Sequence, residues 1–364
     1  MTSLVGRLAV GLGVIACGAA GMAQQRDPLA PLPAPPPTQI LPQAPPPTYA
    51  TGVAPLALRD EINRLGRGFD GKAGIAVVSL KDGWAVDYAA ASLFPQQSCS
   101  KLWVAITTLD AVDRGVVSLT DRVTMGRDDL TLFHQPIAAK IRGGGHTTTI
   151  GALLFTAITE SDNTANDSLM RSIGGPGAVR DMIQRKGLGA VRFFDGERSL
   201  QSRIAGLTWS QSYSIGDAFY KARSALPMPI RRASFERYLA DPYDGAAPRS
   251  VAIALARLKR GDLLSPASTA RLLSTMGQTR TGKARVRAAL ASGWRWSHKT
   301  GTGQVLNGRI GGINDIGLLT APDGTVYAMA LMTIPNRSNG QAQGLMQAVT
   351  KAVIAAHVAR RADY

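Results

Sequence analysis

The sequence predicts an α/β (α+β) fold in which one sheet is assembled from the two ends of the folded region, with a helical subdomain inserted between them. Strand patterns occur early, at 74–80 and 84–88, and again late, at 295–302, 316–321 and 326–333. The long stretch between them repeats its apolar residues at helical spacing, and a closing helix follows at 344–359. With 364 residues, 45% hydrophobic and 18% charged, the chain has material for a substantial core. That composition excludes a disordered, collagenous or disulfide-built protein.

Residues 1–23 carry Arg7, an apolar run from Leu8 to Ile15, and Gly21 and Ala23 around Met22. This is the layout of a secretory signal peptide, and the run is too short to span a bilayer. Val14-Ile15-Ala16-Cys17 offers a second reading, a bacterial lipoprotein processing site that leaves Cys17 lipidated as a membrane tether. Either reading implies export, to a bacterial periplasm. Residues 24–55 form a Pro-rich segment, with 11 of the chain's 21 prolines between Asp27 and Pro55. It reads as an extended tether or as a low-complexity remnant without a role. The folded domain is expected over 56–364. Cys17 and Cys99 are the two cysteines, so no intrachain disulfide is expected after processing.

Within the domain, Ala57–Leu65 predicts a short helix. Gly74–Leu80 and Trp84–Tyr88 then predict two strands joined by the Lys81-Asp82-Gly83 turn. Ser98–Val112 reads as a helix with Leu102, Ala105, Ile106 and Leu109 on one face. The net charge of +16 permits a nucleic acid, an anionic surface or an anionic small substrate, and charge alone does not choose among them.

Three short motifs could carry chemistry. Ser98 and Lys101 are three apart at a helix start, which puts both side chains on one face. A lysine there can take the proton that keeps a serine hydroxyl a poor nucleophile, and the helix N-terminus favours a developing oxyanion. Alone, the pair also reads as an N-cap serine with a solvated lysine. Ser161-Asp162-Asn163 joins two helical segments. Ser161 could shuttle a proton, Asn163 could position lysine and substrate, and Asp162 fits a loop-fixing role or a cap. Lys299-Thr300-Gly301-Thr302-Gly303 ends a strand. Its glycines imply that something approaches the backbone closely, such as a substrate lying along the strand. Alone, this too is an ordinary strand end.

Together and in this order, the three motifs resemble those of class A β-lactamases and penicillin-binding proteins. The resemblance covers roughly 57–360 and continues through Ser161-Asp162-Asn163-Thr164-Ala165-Asn166 to Ile173-Gly174-Gly175-Pro176. Thr281-Gly282-Lys283 with Arg285-Val286-Arg287-Ala288, and Asn314-Asp315-Ile316, are also similar to class A sequences. It implies an antiparallel sheet flanked by helices plus an all-helical subdomain, with the site between them, in a monomer acting on a β-lactam without cofactor, metal or nucleic acid. By the same resemblance Ser98 is the nucleophile, and Lys101, Ser161 and Lys299 move protons. Glu197, in Glu197-Arg198-Ser199-Leu200-Gln201, activates water, with Gln201 in place of an asparagine. Asn163, Lys299, Thr300, Gly301, Thr302, Arg285 and Gln201 would bind substrate, with the backbone N–H groups of Ser98 and Thr302 as the oxyanion hole. Glu197 also reads as an exposed loop residue, and Arg285 as a surface helix charge.

The chain departs from the family at three places. Asp195 occupies the position of an arginine that braces the loop in many members, and Ile313 the position of another arginine. The stretch Ser202–Ala247 is roughly thirty residues longer than in the family, beyond usual loop lengths. Its aromatic residues Trp209, Tyr213, Phe219, Tyr220, Phe235 and Tyr238 predict packed helix. Phe133 or His134 is placed to line the entrance or to pack.

Other signals do not hold. Gly277–Lys283 nearly spells a phosphate loop, but Ala284 replaces the hydroxyl residue and a helix precedes it. His134, His146, His298 and His357 lack metal-ligand spacing. Cys99 reads as a small buried hydrophobe. The expected activity is β-lactam hydrolysis through a serine acyl-enzyme, giving antibiotic resistance. The alternatives are a D-Ala-D-Ala peptidase and a noncatalytic sensor that stays acylated.

Overall fold

A computed structural model describes residues 52–338 and 340–362; the predicted signal segment, Cys17 and the tether up to residue 51 lie outside them. Among the described residues there are eleven α-helices. The first five are α1 (Leu56–Arg67), α2 (Lys101–Asp113), α3 (Ile150–Thr159), α4 (Asn163–Ser172) and α5 (Gly175–Arg185). The others are α6 (Glu197–Ile204), α7 (Ala218–Ala225), α8 (Met228–Ala240), α9 (Pro248–Arg260), α10 (Pro266–Gly277) and α11 (Gln341–Ala362). One sheet contains β1 (Gly71–Ser79), β2 (Ala85–Tyr88), β3 (Arg295–Thr302), β4 (Ile313–Thr320) and β5 (Val326–Pro335). Its order is β2-β1-β5-β4-β3 and every neighbouring pair is antiparallel. β1 joins β5 from Gly71↔Pro335 to Ser79↔Tyr327, so the sheet is built from the two ends of the domain, as its strand patterns imply.

The period-2 alternation of strands assigns the two faces. Ala76, Val78, Ile316, Leu318, Ala328, Ala330 and Met332 point into the core shared with α2 and α9. Ile75, Val77, Leu319, Tyr327, Met329 and Leu331 point the other way, against Leu58 and Ile62 of α1 and Met346, Val349 and Val353 of α11. Covering on both faces explains why β5 is buried along its whole length. β4 begins three residues earlier than its apolar run, because Asn314 and Asp315 are buried in the sheet with partners of their own. The Asn314 amide donates to the carbonyls of Pro95 (2.7 Å) and Gln96 (3.0 Å), and its Oδ1 accepts from Thr333 N–H.

Helix α2 is buried from Lys101 to Ala111 because α3, α4, α5 and α10 pack around it. Side-chain caps start several of these helices. Thr149 caps α3 at Ala152 N–H, Asp162 caps α4 at Ala165 N–H, and Ser265 caps α10 ahead of Pro266. The stretch after Ser202 packs as helix, as its aromatic content implies. Phe219 is buried with Leu132 and Ala205, and Phe235 and Tyr238 enter the main core. Phe94–Pro95 pairs with Gly245–Ala246, which brings the end of this stretch against the segment that precedes Ser98.

Candidate active site

The first motif folds differently from the single helix its spacing implies. Residues Gln97–Ser100 form a 3-10 turn and α2 begins at Lys101. Gln97, at φ 53°, sits in the left-handed region that side chains disfavour. Four contacts hold it there. Its N–H donates to Asp244 Oδ2 (2.7 Å), and its amide donates to Tyr238 OH (2.7 Å) and the Gly311 carbonyl (3.1 Å). Its Oε1 accepts from Gln201 Nε2 at 3.4 Å. The turn therefore presents Ser98, half-buried, from a backbone that neighbouring elements over-determine.

Lys101 is fully buried and its ammonium donates to three oxygens. These are Ser98 Oγ at 2.7 Å, Asn163 Oδ1 at 2.7 Å and Glu197 Oε1 at 2.6 Å. Asn163 is set by its own donation to the Leu132 carbonyl (2.9 Å), and Asp162 pins the loop by accepting from Ala165 and Ile137 N–H. Glu197 is 3% exposed, so the reading of an exposed loop carboxylate is corrected by burial against Lys101. Its other oxygen accepts from Gln201 Nε2 at 3.2 Å. The start of α6 is braced by Asp167, whose carboxylate accepts from the N–H groups of Glu197 and Arg198. Burial, then the neighbouring Glu197, pushes Asp167 up to about 6. Asp195, where an arginine brace was expected to be missing, instead accepts from Arg180 at 3.0 Å on the surface, an exposed pair of little weight.

Lys299 is also fully buried and donates to Ser161 Oγ (2.8 Å) and the Thr300 carbonyl (3.0 Å). Burial, and next the Lys101 ammonium, pull Lys299 down to about 7. Ser161 itself has φ 61°, a second strained non-glycine backbone at the site. Arg285 is 9% exposed and lies against β3, which corrects its reading as a surface charge. Its Nη1 donates to the Gly301 (3.0 Å) and Asn314 (2.5 Å) carbonyls, and its Nη2 donates to Thr302 Oγ1 (2.5 Å). Burial lowers its pKa and Asp315 opposes the shift. Thr281 and Thr300 share a hydrogen bond of 2.6 Å beside it.

The glycines of the third motif admit the chain's own backbone. A Cβ on Gly301 would meet the Gln96 carbonyl at 2.3 Å, and one on Gly303 would meet Gly311 backbone at 2.6 Å. Gly301 thus lets β3 close onto the turn that carries Ser98, and it does not line the cavity. Cys99 packs there as a buried thiol, 3.5 Å from the Lys299 carbonyl, and burial pushes it up to about 12.

Ser98, Ser161, Asn163, Gln201, Arg285, Thr300 and Thr302 line one cavity of about 680 Å³, within the range of small-molecule sites. Phe133 and His134 line it as well. Among the described residues, no group of three or more His, Cys, Asp or Glu is placed to hold a metal ion.

The model of the β-lactamase enzyme family matches residues 57–357. The chain belongs to the β-lactamase enzyme family. It is 25% identical over 285 residues to the extended-spectrum β-lactamase PER-1 of Pseudomonas aeruginosa, covering 78% of this chain and 82% of that one. It is 27% identical over 287 residues to a β-lactamase of Mycobacterium tuberculosis, covering 79% and 80%. An ancestral class A β-lactamase superposes with a TM-score of 0.66 at 28% identity, over 82% of this chain and 99% of the other. A β-lactamase of Chitinophaga pinensis superposes with a TM-score of 0.68 at 25% identity, over 82% and 99%. The chain is a serine β-lactamase of class A type, with the antiparallel sheet and helical subdomain of that fold.

Several residues of this β-lactamase site left no local mark in the sequence: Gln97, Asp167, Tyr238, Asp244 and Gln304. Tyr238 OH donates to Asp244 Oδ1 (2.9 Å) and accepts from Gln97, while Gln304 Nε2 donates to the Gln201 carbonyl and Oε1. Burial raises Asp244 to about 7. The one available signal was the aromatic content that placed Tyr238 in packed helix. Tyr238→Phe is expected to strand an acceptor-seeking amide and a carboxylate oxygen, costing about 1–3 kcal/mol in urea unfolding. An unchanged midpoint would show that the hydroxyl carries no weight.

Proposed function

We propose that the chain is exported through residues 1–23 and hydrolyses the β-lactam amide by the following route. The Ser98 oxygen bonds to the lactam carbonyl carbon while Lys101 takes the hydroxyl proton and passes one of its own to Glu197. The backbone N–H groups of Ser98 and Thr302 stabilise the oxyanion. The ring C–N bond then breaks, and its nitrogen receives a proton from Ser161, which Lys299 resupplies. Glu197 then releases the proton it received to solvent, from which Lys299 is reprotonated. As a carboxylate again it removes a proton from water, the hydroxide bonds to the ester carbonyl carbon, the C–O bond to Ser98 breaks, and the serine oxygen takes that proton from Glu197. Arg285, Lys299, Thr300 and Thr302 hold the substrate carboxylate.

The contact that carries this reading is the Lys101 ammonium bridging Ser98, Asn163 and Glu197 within 2.7 Å. A peptidase or sensor needs the serine and the two lysines, but not a buried carboxylate against the same ammonium. The experiment follows a chromogenic cephalosporin and the mass of the Ser98 peptide with time. Turnover without a lasting adduct is expected; a persistent adduct would favour the peptidase or the sensor.

The Lys299 ammonium attracts the substrate carboxylate only in its protonated form. A lysine lowered from 10.5 to about 7 is charged below that pH and loses its charge as pH rises through it. The alkaline limb of kcat/KM, which reports the free enzyme, is therefore expected well below the ordinary lysine range. Lys299→Arg, always charged, moves that limb upward. A profile flat to pH 10 in the parent enzyme would contradict the assignment.

A further inference from the structure

The stretch absent from the family pattern contributes to the wall of the cavity itself. Tyr220 and Arg223, both on α7, line the same space as Ser98, Arg285 and Thr302. Phe133 stands beside them, its ring centroid 5.0 Å from Phe219 and 6.1 Å from Tyr220. Arg223 reaches across from α7 and its Nη2 donates to the Val305 carbonyl at 2.6 Å, just beyond the third motif. Its Nε is buried without a hydrogen-bond partner. Its charged neighbour is Arg231, a like charge, and burial together with Arg231 lowers its pKa. Among the described residues no Asp or Glu acts on Arg223, whose other ionisable neighbour is Tyr220, and neither Asp nor Glu lines the cavity.

A half-buried guanidinium beside a like charge, with one N–H lacking an acceptor, gains from an anion placed against it. On the binding mode proposed above, the single carboxylate of a β-lactam is held by Arg285 and the threonines, which leaves Arg223 without an anion. We infer that Arg223 is a specificity residue for β-lactams carrying a second anionic group on the acyl side chain, whose apolar part rests on Phe133 and Tyr220. This rests on the hydrolytic reading of the cavity above and adds the substrate class. Guanidinium and carboxylate make short, charge-assisted, often bidentate hydrogen bonds, about twice as strong as neutral ones.

Benzylpenicillin and its α-carboxy derivative form a matched pair differing by that one group. Acylation of Ser98 is followed by intact mass after rapid quenching together with consumption of the compound at low concentration, so the comparison holds whether or not the ester is hydrolysed. The parent protein is expected to acylate faster with the dianion, and added salt should shrink the advantage. Arg223→Gln should lower the dianion-to-monoanion ratio about tenfold, and Arg223→Lys should retain part of it. Equal losses for both compounds would reduce Arg223 to a strut against Val305 and overturn the inference. So would a parent protein without preference. If neither compound is consumed and neither forms an adduct on Ser98, the nucleophile assignment fails first and the specificity falls with it; acylation without preference leaves the hydrolytic reading standing.

Discussion

Glu197→Gln should leave Ser98 acylated. The substitution keeps the size of the side chain and an acceptor for Lys101, which now reaches Glu197 Oε1 at 2.6 Å. On the proposed route it removes the base that takes a proton from water, a contribution of about 10²–10⁴ in rate. Mixed with a chromogenic cephalosporin, the variant should give one burst of product and then stall. The Ser98 peptide should carry the adduct mass for as long as hydrolysis takes at the reduced rate. Acylation should slow as well, since glutamine cannot accept the proton that Lys101 passes on, and the adduct accumulates as long as that loss is smaller than the loss in hydrolysis, for which no other base reaches the water. Steady turnover at the parent rate would remove Glu197 from the mechanism. The variant also leaves the buried Lys101 ammonium without its carboxylate, so a lower thermal midpoint is expected alongside the kinetic change.

Lys101→Met is expected to act on both chemistry and stability. The ammonium touches the Ser98 hydroxyl, the Asn163 amide and the Glu197 carboxylate, and methionine fills its volume with none of those bonds. Acylation should fall by about 10²–10⁴, the loss of a proton-transfer partner. Glu197, 3% exposed, would lose its counterion, and breaking one side of such a buried pair costs about 3–5 kcal/mol. The two effects are separable by measuring acylation under conditions where urea titration shows the variant fully folded. Acylation at the parent rate in that folded protein would assign the proton to another group.

Much of the site was legible because each motif is local. Ser98 and Lys101 are three residues apart, Ser161 and Asn163 two apart, and Lys299 heads its own strand end, so their placement follows from turn and strand geometry. Glu197 was legible only through resemblance, since a loop carboxylate with no local partner reads as solvated. Its burial depends on Asp167, thirty residues earlier, and on Lys101, 96 residues away. Arg285 was ambiguous for the same reason: its charge is local, but the Gly301 and Asn314 carbonyls that bury it belong to two different strands.

By itself the sequence determined the fold class and the two-ended sheet, and through resemblance it offered Ser98 and Lys101 as nucleophile and proton-transfer partner. These follow from hydrophobic period and from residues close along the chain. Only the tertiary structure decided how the strained Gln97 is held, through Tyr238 and Asp244 at sequence separations of 141 and 147. It also decided that Arg223 joins the cavity wall. A side chain's partner across space is set by packing of whole elements, and no local pattern encodes which distant atom will arrive within hydrogen-bond range.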